Sequence, residues 1–107
     1  MKSISREALN ERLANDGLAL IEVLSPDQYR EFHLPGAMNV PLDEHFEQRI
    51  QKAVPDKDRT VVVYCYNSEC QASSKAARRM DELGYQQVCD YEAGKVDCRN
   101  AGVPTEK

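Results

Sequence analysis

The stretch Thr60-Val61-Val62-Val63-Tyr64-Cys65-Tyr66-Asn67-Ser68-Glu69-Cys70-Gln71-Ala72 passes from an apolar run through a polar loop into helical spacing. Three consecutive valines and a tyrosine are stiff at χ1 and fit a pleated surface, so Thr60 to Tyr64 is read as a strand. Cys65 to Gln71 is read as a loop. Ala72, Ala76, Ala77, Met80 and Leu83 then place an apolar stripe on a helix that Gly84 ends.

The same alternation extends outward in both directions. Upstream, the run from Asp43 carries Phe46, Ile50 and Ala53 as a helix closed by Pro55, and Ala37 to Val40 reads as a strand closed by Pro41. Ser25-Pro26-Asp27-Gln28 is a helix start with Ser at the N-cap, Pro at N1 and Gln at N3 of a capping box. Leu18 to Val23 is mostly apolar without clean alternation, which suits a strand buried on both faces of a parallel sheet. Before it, Ser5 caps a helix with Ala8, Leu9, Leu13 and Ala14 as its inward stripe and Gly17 as its stop. Downstream, Gln87 to Tyr91 is a last strand and Gly94 to Ala101 a last helix, halted by Gly102 and Pro104. Strands alternating with helices specify an α/β fold: an open, mostly parallel sheet with helices on both faces. With neither repeat nor linker, residues 1–107 read as a single domain.

Composition excludes several function classes. Apolar residues at 41% and charged residues at 30% are an ordinary globular balance. Net charge is −4, the opposite of the basic excess that nucleic-acid or anionic-membrane binding requires, so neither partner is expected. No apolar run approaches the ~20 residues that span a bilayer. The first residues lack the apolar core and small-residue cleavage site of a signal peptide, so a cytoplasmic location is expected. In that compartment the four cysteines are expected as catalytic or buried thiols, not as a disulfide framework.

Cys65 is the candidate reactive centre. Ligands in open α/β sheets bind beyond the carboxyl ends of the strands, where Cys65 would lie. The loop Tyr66-Asn67-Ser68-Glu69-Cys70-Gln71 leads into a helix N-terminus, whose N–H groups and dipole favour an anion and lower a thiol pKa. A thiolate on a cradle of amides is what persulfide chemistry needs, because the outer sulfur of Cys–S–S⁻ is itself an anion. The plain alternative is a strand-end cysteine acting as a small hydrophobe. Cys70, five residues on, is either a resolving thiol that closes a disulfide or an inward packing residue. Cys89 and Cys98 are expected in the core. No paired C-x2-C spacing is present, so neither a metal site nor a cofactor is expected. His33 is expected to fix its turn through backbone hydrogen bonds, His45 to lie on the surface, and Arg78 and Arg79 to face solvent or form ion pairs.

Leu20 to Pro41, with Glu22, Phe32-His33-Leu34-Pro35-Gly36 and Asn39-Val40-Pro41, resembles the N-terminal signature of the rhodanese family. Val61 to Leu83 resembles its active-site strand, loop and helix, and Tyr91-Glu92-Ala93-Gly94 with Ala101-Gly102-Val103-Pro104 its C-terminal signature. The resemblance covers nearly the whole chain. It implies a five-stranded parallel sheet flanked by helices, and Cys65 as the residue that takes sulfane sulfur from a donor such as thiosulfate. A thiol or protein acceptor would then receive it.

Departures from that pattern carry their own expectations. Family members usually have an acidic-then-basic pair in this strand region, where Glu22 keeps the acid and Leu24 replaces the Arg; Phe32 stands where Gly is common and Cys98 where Trp is common. The active-site loop is about two residues longer than in compact members. It lacks Arg and Lys and carries Glu69, a carboxylate that would disfavour a thiolate and repel thiosulfate. Phosphatase-like relatives hold phosphate with an Arg where Gln71 stands here, which argues against that chemistry. Three readings follow: a sulfurtransferase carrying persulfide on Cys65, a redox module cycling Cys65 and Cys70, or a non-catalytic module presenting its loop to a protein. The sequence carries no signal for an oligomeric state.

Overall fold

β-branched Val61, Val62 and Val63 form the middle of the central strand, and both faces of that strand are buried. The computed structural model describes residues 2–15 and 17–107, without the side chains of Ala14 and Asn15. In chain order the elements are β1 (Lys2–Ser3), α1 (Arg6–Asn15), β2 (Ala19–Glu22), α2 (Pro26–Glu31), β3 (Met38–Asn39), α3 (Phe46–Ala53), β4 (Thr60–Tyr64), α4 (Ala72–Glu82), β5 (Gln87–Tyr91) and α5 (Gly94–Asn100). The strands form one sheet in the order β1-β5-β4-β2-β3, and every strand pairing in it is parallel. Five strands with helices on both faces match the expected fold.

Alternate residues of β4 feed two cores. Val61, Val63 and Cys65 pack with Phe46 and Ile50 of α3 and Ala76, Ala77 and Met80 of α4. Val62 and Tyr64 pack on the other face with Leu9, Leu34, Tyr91 and Cys98. Cys89 and Cys98 are buried, as expected. The Ser25/Gln28 capping box is present in full at α2.

Several boundaries differ from the sequence reading. β1 was not among the expected strands: two exposed polar residues carry no apolar signal, and only pairing with Cys89 and Asp90 makes them a strand. β2 and β3 are shorter than expected, since the β2–β3 ladder pairs only Ile21 with Met38 and Glu22 with Asn39. α3 begins at Phe46 instead of Asp43, because the Asp43 carboxylate accepts the His45 N–H at 2.8 Å and holds a local turn there. Leu13 is 37% exposed, not inward: Leu9 and Leu18 close the cluster on that face and Leu13 lies outside it. Ala14, assigned to the same stripe, lies outside the described side chains.

A buried polar network ties α5 to the sheet. Lys95 Nζ donates to Glu22 Oε2 at 3.1 Å and to the carbonyls of Gln28 at 2.7 Å and Phe32 at 2.6 Å. The Tyr64 hydroxyl donates to Glu22 Oε1 at 2.8 Å and accepts the Leu34 N–H at 3.1 Å. The cation missing at Leu24 is thus supplied from a different element. Leu24 joins the core, while Phe32 packs beneath Lys95 and Arg99, each 4.5 Å from its ring centre. The whole arrangement seats the segment that follows β4.

Candidate active site

Cys65 stands one residue beyond the carboxyl end of β4, where the chain leaves the sheet. Its carbonyl accepts the Lys95 N–H at 3.0 Å, and the Tyr66 carbonyl accepts the Val96 N–H at 3.0 Å. The first turn of α5 therefore pins the start of the loop. Such contact demands glycine at position 94: φ is +78°, and a Cβ there would lie 2.5 Å from the Tyr66 carbonyl carbon and oxygen. Tyr66 packs edge-on to Phe32, with ring centres 6.4 Å apart.

The loop closes on itself before α4. Asn67 Oδ1 accepts the Glu69 N–H at 3.1 Å, and the Asn67 carbonyl accepts the Cys70 N–H at 3.1 Å. Ser68 and Glu69 form the exposed tip, and Gln71 is an exposed N-cap whose side chain makes no capping bond. This turn carries Cys70 back over Cys65. The Cys65 thiol lies 3.3 Å from the Cys70 carbonyl, which accepts from it, and 3.5 Å from Ser73 Oγ. Both cysteines are free thiols.

The electrostatics of the pair differ from the sequence expectation. Cys65 is fully buried, and that burial pushes its thiol up to about 11, reinforced by its hydrogen bond to Cys70. The Ser73 hydroxyl and N–H favour the charged sulfur but do not offset burial. The helix-terminus field was expected to lower Cys65; desolvation outweighs it. At Cys70, burial also pushes upward. The hydrogen bond from Cys65 and the N–H groups of Tyr66 and Ala72 outweigh it, and the Cys70 thiol is held below its ordinary value. The carboxylate acting on Cys70 is the buried Asp90 of β5, while Glu69 stands in solvent. Asp90 Oδ2 accepts the Ser74 hydroxyl at 2.7 Å, and Oδ1 meets no protein donor among the described residues.

The other expected residues lie apart from this pair. His33 Nδ1 is 2.9 Å from the Tyr29 carbonyl and its ring stacks on Tyr29 at 3.8 Å. His45 is exposed, as is Arg78, and Arg79 Nη2 donates to Glu47 at 2.7 Å. A shallow groove lined by Asn67, Ser68, Ala93 and Asn100 runs between the loop and α5. A more enclosed hollow lies at the opposite end of the strands, between Lys2, Arg12 and Gln87, away from both thiols. Among the described residues no three His, Cys, Asp or Glu side chains are grouped to hold a metal ion, and no helix is long and apolar enough to cross a membrane.

Ser73, Asp90, Gly94 and Lys95 were not singled out as site-forming residues by sequence. For Asp90 the signal was available, an acid inside an apolar strand. Ser73 and Ser74 are indistinguishable until the helix is placed.

A parallel five-stranded sheet whose central strand delivers a cysteine into an amide-lined loop defines a class, and comparison with known proteins agrees. The chain belongs to the family of the rhodanese-like domain, whose model matches residues 5–101. It is 44% identical over 68 residues to the thiosulfate sulfurtransferase PspE of Escherichia coli, covering 64% of this chain and 62% of PspE. The chain spans about half of several other curated relatives it matches. A rhodanese with anions from E. coli superimposes with a TM-score of 0.70 at 37% identity, over 85% of this chain and 99% of the other. The rhodanese-like domain of the Anabaena sp. Alr3790 protein shares the fold with a TM-score of 0.85 at 24% identity, over 99% and 79%.

Proposed function

We propose that the chain is a sulfurtransferase that carries sulfane sulfur as a persulfide on Cys65, taking it from an anionic donor such as thiosulfate and passing it to a thiol or protein acceptor. The observation that carries the reading is Cys65 at the carboxyl end of β4, with Ser73 Oγ 3.5 Å from its sulfur and the Ser73 hydroxyl and N–H favouring its charged form. The chemistry is displacement at sulfur. A thiolate attacks the outer sulfur of thiosulfate, a new S–S bond forms, and the old one leaves with its electron pair as sulfite. The acceptor nucleophile then attacks the outer sulfur of the persulfide, and the cysteine leaves as thiolate. No general base is obligatory, which fits a His33 ring engaged with Tyr29 and an exposed His45. Similarity to PspE supports the donor class. A reducing compartment such as the cytoplasm suits thiols that must stay free.

The test is incubation with thiosulfate followed by fragmentation mass spectrometry. The reading requires a Cys65 species heavier by one sulfur atom, formed with release of sulfite and discharged by an added thiol. Absence of any such species rules it out.

A second reading, in which Cys65 and Cys70 cycle between dithiol and disulfide, is favoured by the hydrogen bond that couples the two residues. It requires reversible loss of two hydrogens under mild peroxide, abolished in Cys70→Ser. Full retention of both thiols under that treatment removes it.

A further inference from the structure

The proposed persulfide site has an access problem. Cys65 is 0% exposed, sealed under the turn that its own loop makes. A donor anion must bring its outer sulfur into line with an attacking sulfur, and a nucleophile with no exposed surface offers no such line. Cys70 is half-buried and lies in the covering turn. Its carbonyl accepts the Cys65 thiol at 3.3 Å, and the N–H groups of Tyr66 and Ala72 face its sulfur. The amides lining the outer loop thus serve Cys70, while Ser73 serves Cys65.

We infer that Cys70 is the entry nucleophile: it takes sulfane sulfur from the donor first and relays it inward to Cys65. This rests on the sulfurtransferase reading and adds a second sulfur-carrying residue to it. In the first step Cys70–S⁻ attacks the outer sulfur of thiosulfate, giving Cys70–S–S⁻ and sulfite. In the second, Cys65 sulfur attacks that same outer sulfur. The Cys70 sulfur leaves and takes up the proton that Cys65 gives up. The products are Cys65–S–S⁻ and Cys70–SH, so one S–S bond breaks and one forms with no net oxidation.

Entry has a physical bias. Cys70 is favoured there because its thiol is held below the ordinary value whereas that of Cys65 lies at about 11. The buried Asp90 carboxylate opposes negative charge at Cys70 but is outweighed by the N–H groups and the Cys65 hydrogen bond.

The experiment follows sulfur by rapid quench with thiosulfate in wild type, Cys65→Ser and Cys70→Ser. Both cysteines lie between Arg59 and Lys75, so fragmentation of one tryptic peptide assigns the extra sulfur. In wild type, sulfur is expected on Cys70 before Cys65. Cys65→Ser is expected to hold it on Cys70. Cys70→Ser is expected to load Cys65 roughly tenfold or more slowly, from the smaller thiolate fraction partly offset by greater thiolate nucleophilicity. The relay is overturned if wild type loads Cys65 with no earlier Cys70 species while Cys70→Ser loads at the wild-type rate. It is likewise overturned if loading yields a Cys65–Cys70 disulfide with hydrosulfide release. The first result leaves the sulfurtransferase reading standing, whereas a disulfide with no Cys65 persulfide, or a wild type that takes up sulfur on neither cysteine, ends both.

Discussion

Lys95 Nζ lies 3.1 Å from Glu22 Oε2, and both side chains are fully buried. The two are far apart in the chain yet join α5 to β2 directly beneath the loop, since the backbone N–H of Lys95 also holds the Cys65 carbonyl. A buried ion pair is no guarantee of stability, because desolvation opposes its attraction. Here two carbonyls and the Tyr64 hydroxyl complete the shell, and burial still holds the Glu22 carboxyl above its usual value.

Removing one partner should therefore be harmful. Lys95→Met is expected to destabilise the fold by about 3 kcal/mol, the lower end for a broken buried pair, because Glu22 can take up a proton once the cation is gone. Urea unfolding measures it. The double variant Glu22→Leu/Lys95→Met should lose less than the single, and a double variant that loses more would contradict the desolvation argument.

At Gly94 both φ and space forbid a side chain. Gly94→Ala is expected to lose at least about 1–2 kcal/mol from the left-handed backbone alone. The Cβ would also push Tyr66 from its position. Thermal unfolding reads the first effect, and slower sulfur loading of the folded fraction reads the second. An unchanged loading rate would show that the loop is not held from α5.

Ionisation of the two loop thiols against pH should rise in two phases. The first, below the ordinary thiol value of 9.0, belongs to Cys70, and the second, near about 11, to Cys65. The sign for stability follows from the raised Cys65 value. The folded protein keeps that proton longer than the unfolded chain, so its contribution is full below pH 9.0 and is lost as pH climbs toward about 11. A single phase near 9.0 would show that the two thiols do not interact.

Ser73→Ala removes the hydroxyl 3.5 Å from the Cys65 sulfur. That hydroxyl favours the charged sulfur, so the variant should raise the Cys65 thiol further and slow turnover roughly fivefold, the equivalent of about 1 kcal/mol. Rescue by Ser73→Thr, which keeps a hydroxyl, separates this from a packing defect. Equal rates in both variants would remove the role.

The alternation of strands and helices, the strand from Thr60 to Tyr64 and the place of Cys65 at a strand end were all legible in the sequence. So was the Ser25/Gln28 cap. Each depends on spacing between near neighbours, which periodicity records. What only the tertiary structure decided depends on residues distant in the chain. Lys2 and Ser3 become a strand through β5, Lys95 takes over the cation role absent at Leu24, and Asp90 sets its charge beside Cys70. The loop from Cys65 to Gln71 shows the division most plainly. Sequence identified Cys65 and Cys70 as the pair to watch, but which sulfur carries charge is set by burial and by the direction of four N–H and O–H groups. Desolvation is a property of the packed fold, and it overrides the lowering of the Cys65 thiol that the local motif predicts.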